Sequence, residues 1–442
     1  MYKVSMVSLG CPKNQVDAER MLALLQDGGF ELSVEEAQAD AIIINTCGFI
    51  EEAKQEAIEN ILEAARYKKE GACKALIVTG CLAERYRDDV TEEIPEVDVC
   101  VGIGANGKIC EIVKEAIESA ERKNYFAEKI DLSLSGKRIL GGYPFSTYLK
   151  IGDGCDNCCT YCAIPQIRGR MRSRTIEDCV AEAETLAAGG VKELIVVAQD
   201  TTAYGTDLYG EPKLCELLEK LCRIEGLHWI RTLYTYPERI TDELLDLMAK
   251  EPKLVHYLDI PIQHVDGEIL KRMNRRGNEE SLRALIERIR TKLPDITLRT
   301  TLITGFPGET EEQFEALDRF VQEIRFDRLG CFAYSAEENT IAAEMPDQID
   351  EQIKHDRMEH IMETQLTIAA EKNAEKIDTD TEVLIEGWDD YIKCYYGRTP
   401  FDAPEVDGKI FFLSDRPLVI GTFEKVHIND TLDYDLLGEL IV

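Results

Sequence analysis

The sequence predicts an α/β protein in three parts: an N-terminal parallel α/β domain over residues 1–117, a partial (β/α)6 barrel over 137–373, and a small antiparallel β-barrel over 374–442. Three observations carry this reading. Short apolar runs alternate with helical periodicity through the first 117 residues, and a second, longer βα series starts at Pro144. After about residue 376 the pattern changes to short strands broken by turns.

In the first domain the apolar runs are 4–9, 41–44 and 75–78, and residues 51–66 carry helical periodicity. Alternation of this kind argues for a parallel sheet, in which ligands bind beyond the carboxyl ends of the strands. Each run ends two or three positions before a cysteine: Cys11, Cys47 and Cys81. These three are therefore expected to converge. Cys73, Cys100 and Cys110 lack that placement. Residues 125–142 carry charges and glycines without periodicity and read as a linker.

In the second series the candidate strands are 146–151, 193–198, 229–235, 254–260, 297–303 and 328–334. Helical patterns intervene at 176–188, 213–223, 242–250, 279–292 and 311–324, and a long helix is expected over 350–376. Six strands joined by right-handed crossovers curl into an incomplete barrel. The tail, 382–442, is punctuated by Glu386-Gly-Trp388, Asp407-Gly408 and Ile420-Gly-Thr422.

No apolar run reaches the ~18 residues of a membrane span. The N-terminus reads as a buried strand rather than a secretory leader, so a cytoplasmic protein is expected, without a membrane partner. Fifteen cysteines in such a chain point to metal ligands or reduced thiols rather than disulfides. Cys179, Cys215 and Cys222 fall in helical patterns and Cys331 in a strand, as packing residues do. The net charge of −33 disfavours a phosphate-gripping surface and favours a basic partner.

The strongest chemical signal is Gly154-Cys-Asp-Asn-Cys-Cys-Thr-Tyr-Cys162. Cys155, Cys159 and Cys162 form a C-x3-C-x2-C triplet with no fourth cysteine at comparable spacing. Three thiolates bind three irons of a [4Fe–4S] cluster and leave the fourth open to a chelating ligand. A zinc site is the alternative, but zinc takes four ligands, usually as two separated pairs. Cys158 offers an alternative C-x2-C spacing with Cys155.

This triplet, with Tyr161 before its last cysteine, has the spacing of radical S-adenosylmethionine (SAM) enzymes. Together with Leu9-Gly-Cys-Pro-Lys-Asn14, Asn45-Thr-Cys-Gly48, Thr79-Gly-Cys81 and Gly305-Phe-Pro-Gly-Glu309, it resembles the methylthiotransferase family over essentially the whole chain. The tail resembles a TRAM domain. Gly397-Arg-Thr399 and Ala403-Pro-Glu-Val-Asp-Gly408 resemble the branch that modifies an aspartate of small-subunit ribosomal protein twelve.

The resemblance implies a second [4Fe–4S] cluster on Cys11, Cys47 and Cys81, holding sulfur for insertion at the β-carbon of the substrate aspartate. It selects Cys159 over Cys158 as the ligand. It implies SAM contacts at the rim of later strand ends: Gln199 and Asp200, Gln263 and His264, Arg299, and the turn of Gly305, Pro307 and Gly308. No catalytic side chain is identified beyond the cluster cysteines. A separate electron donor and sulfur donor are required, and the partner is a small-subunit ribosomal protein, free or within the assembled subunit.

The alternatives are the branch that methylthiolates a tRNA adenosine and a non-catalytic iron–sulfur electron carrier. Residues 374–442 hold 16 acidic and 6 basic residues, which disfavours tRNA binding by the tail. Trp388, Tyr391, Tyr395 and Tyr396 are candidates for contact area there, with Trp388 alternatively filling the barrel core.

Overall fold

In the computed structural model, which describes residues 1–119 and 122–441, the first series forms a five-stranded sheet in the order β2-β1-β3-β4-β5. The strands are β1 (Lys3–Ser8), β2 (Glu31–Leu32), β3 (Ala41–Thr46), β4 (Ala75–Gly80) and β5 (Val99–Val101), and every pairing is parallel. Helices lie on both faces. Ile42, Ile44, Leu76 and Val78 pack against Ala57 and Ile61 of α2 (Glu51–Ala65). Ala41, Ile43 and Ile77 pack against Met21 and Leu25 of α1 (Pro12–Asp27). Burial on both faces is why β3 and β4 read as continuous apolar runs rather than alternating ones. β2 and β5 are additional to the three expected strands, being too short to carry a pattern of their own.

The second series forms six parallel strands in chain order: β6 (Ser146–Lys150), β7 (Glu193–Val197), β8 (Trp229–Thr232), β9 (Leu254–Asp259), β10 (Thr297–Thr304) and β11 (Arg328–Ala333). β6 and β11 are its edges, so the barrel is incomplete. The expected helices form over Ile176–Ala188, Asp242–Lys250, Glu279–Lys292 and Glu311–Ile324. Thr175, Thr241, Asn278 and Thr310 cap them through side-chain bonds to backbone N–H groups. The stretch expected to be a linker is irregular but pinned. Tyr125 bridges to Val101 of β5, and the buried Arg138 guanidinium pairs with Glu19 of α1 at 2.6 Å and Glu182 at 2.7 Å.

The terminal module is a closed five-stranded barrel of β12 (Asp380–Asp389), β13 (Cys394–Arg398), β14 (Ile410–Leu413), β15 (Phe423–Leu432) and β16 (Asp435–Leu440). Its pairings are antiparallel except for β14 with β16. Val383, Ile385, Ile410, Phe412 and Val426 fill it. Trp388 does not: it is 40% exposed and packs edge-on against Tyr395.

The β13–β14 connection enters the larger barrel at the N-terminal ends of its strands. Ala403 packs among Tyr148, Ile195, Val197 and Tyr257. Asp402 accepts from Arg328 at 2.6 Å, and Asp407 from the Tyr257 hydroxyl at 2.6 Å. Arg398, at the end of β13, is clamped between Glu193 of β7 and Glu386 of β12. Each of these side chains is buried, so each charge needs the partner it finds.

Candidate functional site

β1, β3 and β4 deliver Cys11, Cys47 and Cys81 just beyond their carboxyl ends, and the sequence shows why they can come close. Gly10 has φ 86°, and a Cβ there would stand 2.7 Å from Cys47 Cβ. Gly80 has φ 94°, and a Cβ would meet the Thr46 carbonyl oxygen at 2.4 Å. Only glycine accepts both the left-handed backbone and the approach. Asn14 ties the strand ends together, donating to the carbonyls of Leu9 at 2.8 Å and Thr46 at 3.2 Å.

Cys155, Cys159 and Cys162 sit on the loop beyond β6. The backbone N–H of Asn157 donates to Cys155 Sγ at 3.5 Å and that of Ile164 to Cys162 Sγ at 3.4 Å. Bonds of this kind tune an iron–sulfur cluster. Cys159 Sγ lies 3.7 Å from the Tyr236 hydroxyl. Cys158 is exposed, adopts φ 51° and is absent from the cavity wall that its three neighbours line.

Both sets of three cysteines line one cavity of about 360 Å³. Burial pushes the Cys47 thiol up to about 12, with Cys81 and Cys11 adding to the effect. Burial likewise raises Cys155 to about 11 and Cys162 to about 12, and it raises Cys81 against the pull of Arg168. At Cys11 burial opposes the thiolate, but Lys13 and Arg168 bring the thiol below its ordinary range. Among the described residues no three His, Cys, Asp or Glu side chains gather as one metal ion requires. Thiols spread round a cavity suit a cluster of several irons, which removes their protons on binding.

The expected SAM-contacting residues divide. Gln199 and Gln263 line the cavity. Gln199 donates to Asp153 at 2.7 Å and leaves its carbonyl oxygen buried without a partner. The other six lie outside the cavity wall. Asp200 accepts from Asn157 at 2.7 Å and from Arg239 and Thr202, so it braces the cysteine loop. Arg299 pairs with Asp259 at 2.9 Å and faces Asp407 of the inserted connection. His264 is fully buried, with Nδ1 accepting from the Asp266 N–H, and burial lowers it to about 4. Gly305, Pro307 and Gly308 do form a tight turn, but Glu309 takes the N–H groups of Gly305 and Phe306. That turn packs on Lys354 and Arg272, which a Cβ at Gly305 or Gly308 would strike.

The cavity also gathers residues that the sequence reading passes over: Lys13, Arg168, Tyr234, Tyr236 and Arg275. Arg168 binds Asp17 of α1 and Asp153 of the barrel, and its other nitrogen lies 3.3 Å from Cys81 Sγ. It thereby joins the first domain to the second at the cavity edge. Arg275 stacks on Tyr236 and donates to the Pro261 carbonyl at 2.6 Å. Lys13, within the motif around Cys11, carries the one local signal; the others reach the cavity through long-range folding alone.

The radical SAM superfamily model matches residues 149–321, the uncharacterized protein family UPF0004 model residues 3–102, and the TRAM domain model residues 378–441. The chain is 50% identical to the ribosomal protein uS12 methylthiotransferase RimO of Desulforamulus reducens, covering 100% of both chains. It is 48% identical to the protein of that name from Geobacter sulfurreducens, covering 99% of this chain and 98% of that one. Among solved structures, the radical SAM methyltransferase TsrM of Kitasatospora setae shares the fold with a TM-score of 0.57 at 16% identity, over 75% of each chain.

The family matches and the full-length relatives define a radical SAM methylthiotransferase, a class whose chemistry rests on a [4Fe–4S] cluster and SAM. Within it, the chain belongs to the RimO family.

Proposed function

We propose that this enzyme adds a methylthio group to the β-carbon of an aspartate in ribosomal protein uS12. The observation that carries the reading is the single cavity lined by both cysteine sets. Cys155, Cys159 and Cys162 would hold the SAM-binding [4Fe–4S] cluster, and Cys11, Cys47 and Cys81 a second one. When bound, the first supplies an electron to the sulfonium of SAM, whose cleavage yields a radical able to take hydrogen from an unactivated carbon.

The protein's own residues hold and shield that chemistry. Gln199, with its unpartnered carbonyl oxygen, suits the ammonium of SAM, and Gln263 lines the wall beside it. The apolar and aromatic wall of Phe49, Tyr161, Ile164, Tyr234 and Tyr236 keeps water from a radical. The partners are a basic ribosomal protein, an electron donor and a sulfur donor. The acidic terminal module would steer the first of these.

The test is mass spectrometry of ribosomal proteins and tRNA nucleosides from a strain lacking the gene. Loss of the methylthio group from uS12, with tRNA unchanged, is expected. Loss from a tRNA adenosine instead would move the chain to the other branch.

A further inference from the structure

The cavity wall contains Lys13, Arg168 and Arg275 but no Asp or Glu. Arg168 already has two carboxylates, and Arg275 is held by Tyr236 and the Pro261 carbonyl. Lys13 is different. It is 7% exposed, its ammonium stands 3.3 Å from the centroid of the Tyr234 ring, and no carboxylate among the described residues pairs with it. Asp259, whose field reaches it, is bonded to Arg299 and to the Tyr234 N–H. Tyr234 itself is held at φ 60°, a conformation that costs a bulky residue on the order of 1 kcal/mol or more. A buried ammonium whose near groups are a tyrosine and a thiol rather than a carboxylate, with a cavity in front of it, can receive one.

The reaction identifies that anion. The carbon to be modified bears the substrate's carboxylate directly, so bringing the β-carbon between the two cysteine sets carries the carboxylate into the cavity with it. A carboxylate there requires a cation, and Lys13 stands two residues from Cys11, on the side where sulfur would be held. We propose that Lys13 receives the side-chain carboxylate of the substrate aspartate and so makes the site selective for an acidic residue over its neutral isostere. This rests on the function proposed above and deepens it. Lys13 is a positioning residue: it orients the β-carbon and takes no part in bond breaking.

Lys13 also helps to bring the Cys11 thiol below its ordinary range, and a role confined to that contact would leave the enzyme indifferent to the substrate's charge. The test is a binding ratio, measured anaerobically on reconstituted holoenzyme by titration with the small-subunit ribosomal protein. The modified position, located by mass spectrometry, carries Asp in one form and Asn in the other. Wild-type enzyme should bind the Asp form at least about tenfold more tightly, as a desolvated charge pair does. In Lys13→Met the ratio should fall to about one, and Lys13→Arg should keep part of it, because the cation remains. A ratio is immune to a general loss of activity, so an inactive variant still reports. Equal binding of both forms by wild type, or an unchanged ratio in Lys13→Met, overturns the proposal. If wild type binds and modifies neither form, the proposed substrate fails instead, a separate outcome.

Discussion

The two ends of the larger barrel are built from similar residues to opposite effect. At the N-terminal end Glu193, Arg328, Arg398 and Asp402 are buried in mutual ion pairs, sealed by a connection from the terminal module. At the C-terminal end Arg168 keeps its two carboxylates, but Lys13 and six cysteines face an open cavity with no carboxylate in its wall. Buried charge that is matched holds a fold together; buried charge that is unmatched awaits a ligand. The comparison also separates the two parts of the rim, since one cysteine set comes from a single loop and the other from three strand ends.

The largest effects should come from breaking the rim. Replacing Cys155, Cys159 or Cys162 with alanine should abolish deoxyadenosine release from SAM, read by chromatography under reducing anaerobic conditions. Iron should fall by about four atoms per chain. Alanine at Cys11, Cys47 or Cys81 should remove a similar amount of iron and all methylthio product while deoxyadenosine release persists. Normal product from those variants would remove the second cluster from the account.

At the sealed end the loss is of stability. Asp402→Ala leaves Arg328 only the more distant Asp407 in the interior, and Glu193→Gln weakens the clamp on Arg398. Breaking a buried pair from one side costs about 3–5 kcal/mol, visible as a lower denaturant midpoint. Substitution of Cys158, exposed and outside the cavity wall, should leave that midpoint unchanged.

A smaller effect is set by pH. Burial raises the Glu193 carboxyl, but Arg398 and Arg231 more than offset it and hold it at about 2. A carboxylate depressed on folding contributes stability above its unfolded value, near 4.3, and loses it as the pH falls towards 2. Wild type should therefore lose on the order of 3 kcal/mol across that window from this group. Glu193→Gln should start lower and show a flatter slope. An equal slope in both would assign acid sensitivity elsewhere.

The smallest effect concerns steering. Association of the full chain with the ribosomal protein should slow as salt rises, because the acidic surface attracts a cation over roughly 8 Å at physiological ionic strength. A salt-independent rate would remove the acidic module from recognition.

Much of this was legible in the sequence because it is periodic or local. β6 to β11 announce themselves as apolar runs, and the capped helices begin where Thr175, Thr241, Asn278 and Thr310 stand. The cysteines are legible for the same reason: a loop triplet is local, and strand ends follow from β3 and β4. What sequence spacing cannot carry is side-chain direction and pairing across the chain. Arg299 lies in a strand as expected, yet its partner is Asp259 and its outlook is the terminal module. Gly305 to Gly308 form the expected turn, but Glu309 folds back to occupy it. Lys13 finds Tyr234 only when two domains meet.

The inserted connection has a consequence for the order in which the protein is made. Glu193, Arg231, Arg299 and Arg328 leave the ribosome well before Arg398, Asp402 and Asp407, which complete their environment. Between the last barrel strand and Asp407 lie about 74 residues, roughly 4–15 s of synthesis at 5–20 residues per second. During that interval Glu193 has only Arg231 and Arg299 only Asp259, while Arg328 lacks its buried carboxylate until the last domain threads back against it. Completion of the sealed end of the barrel therefore belongs to the end of translation, and the terminal module is its final packing element.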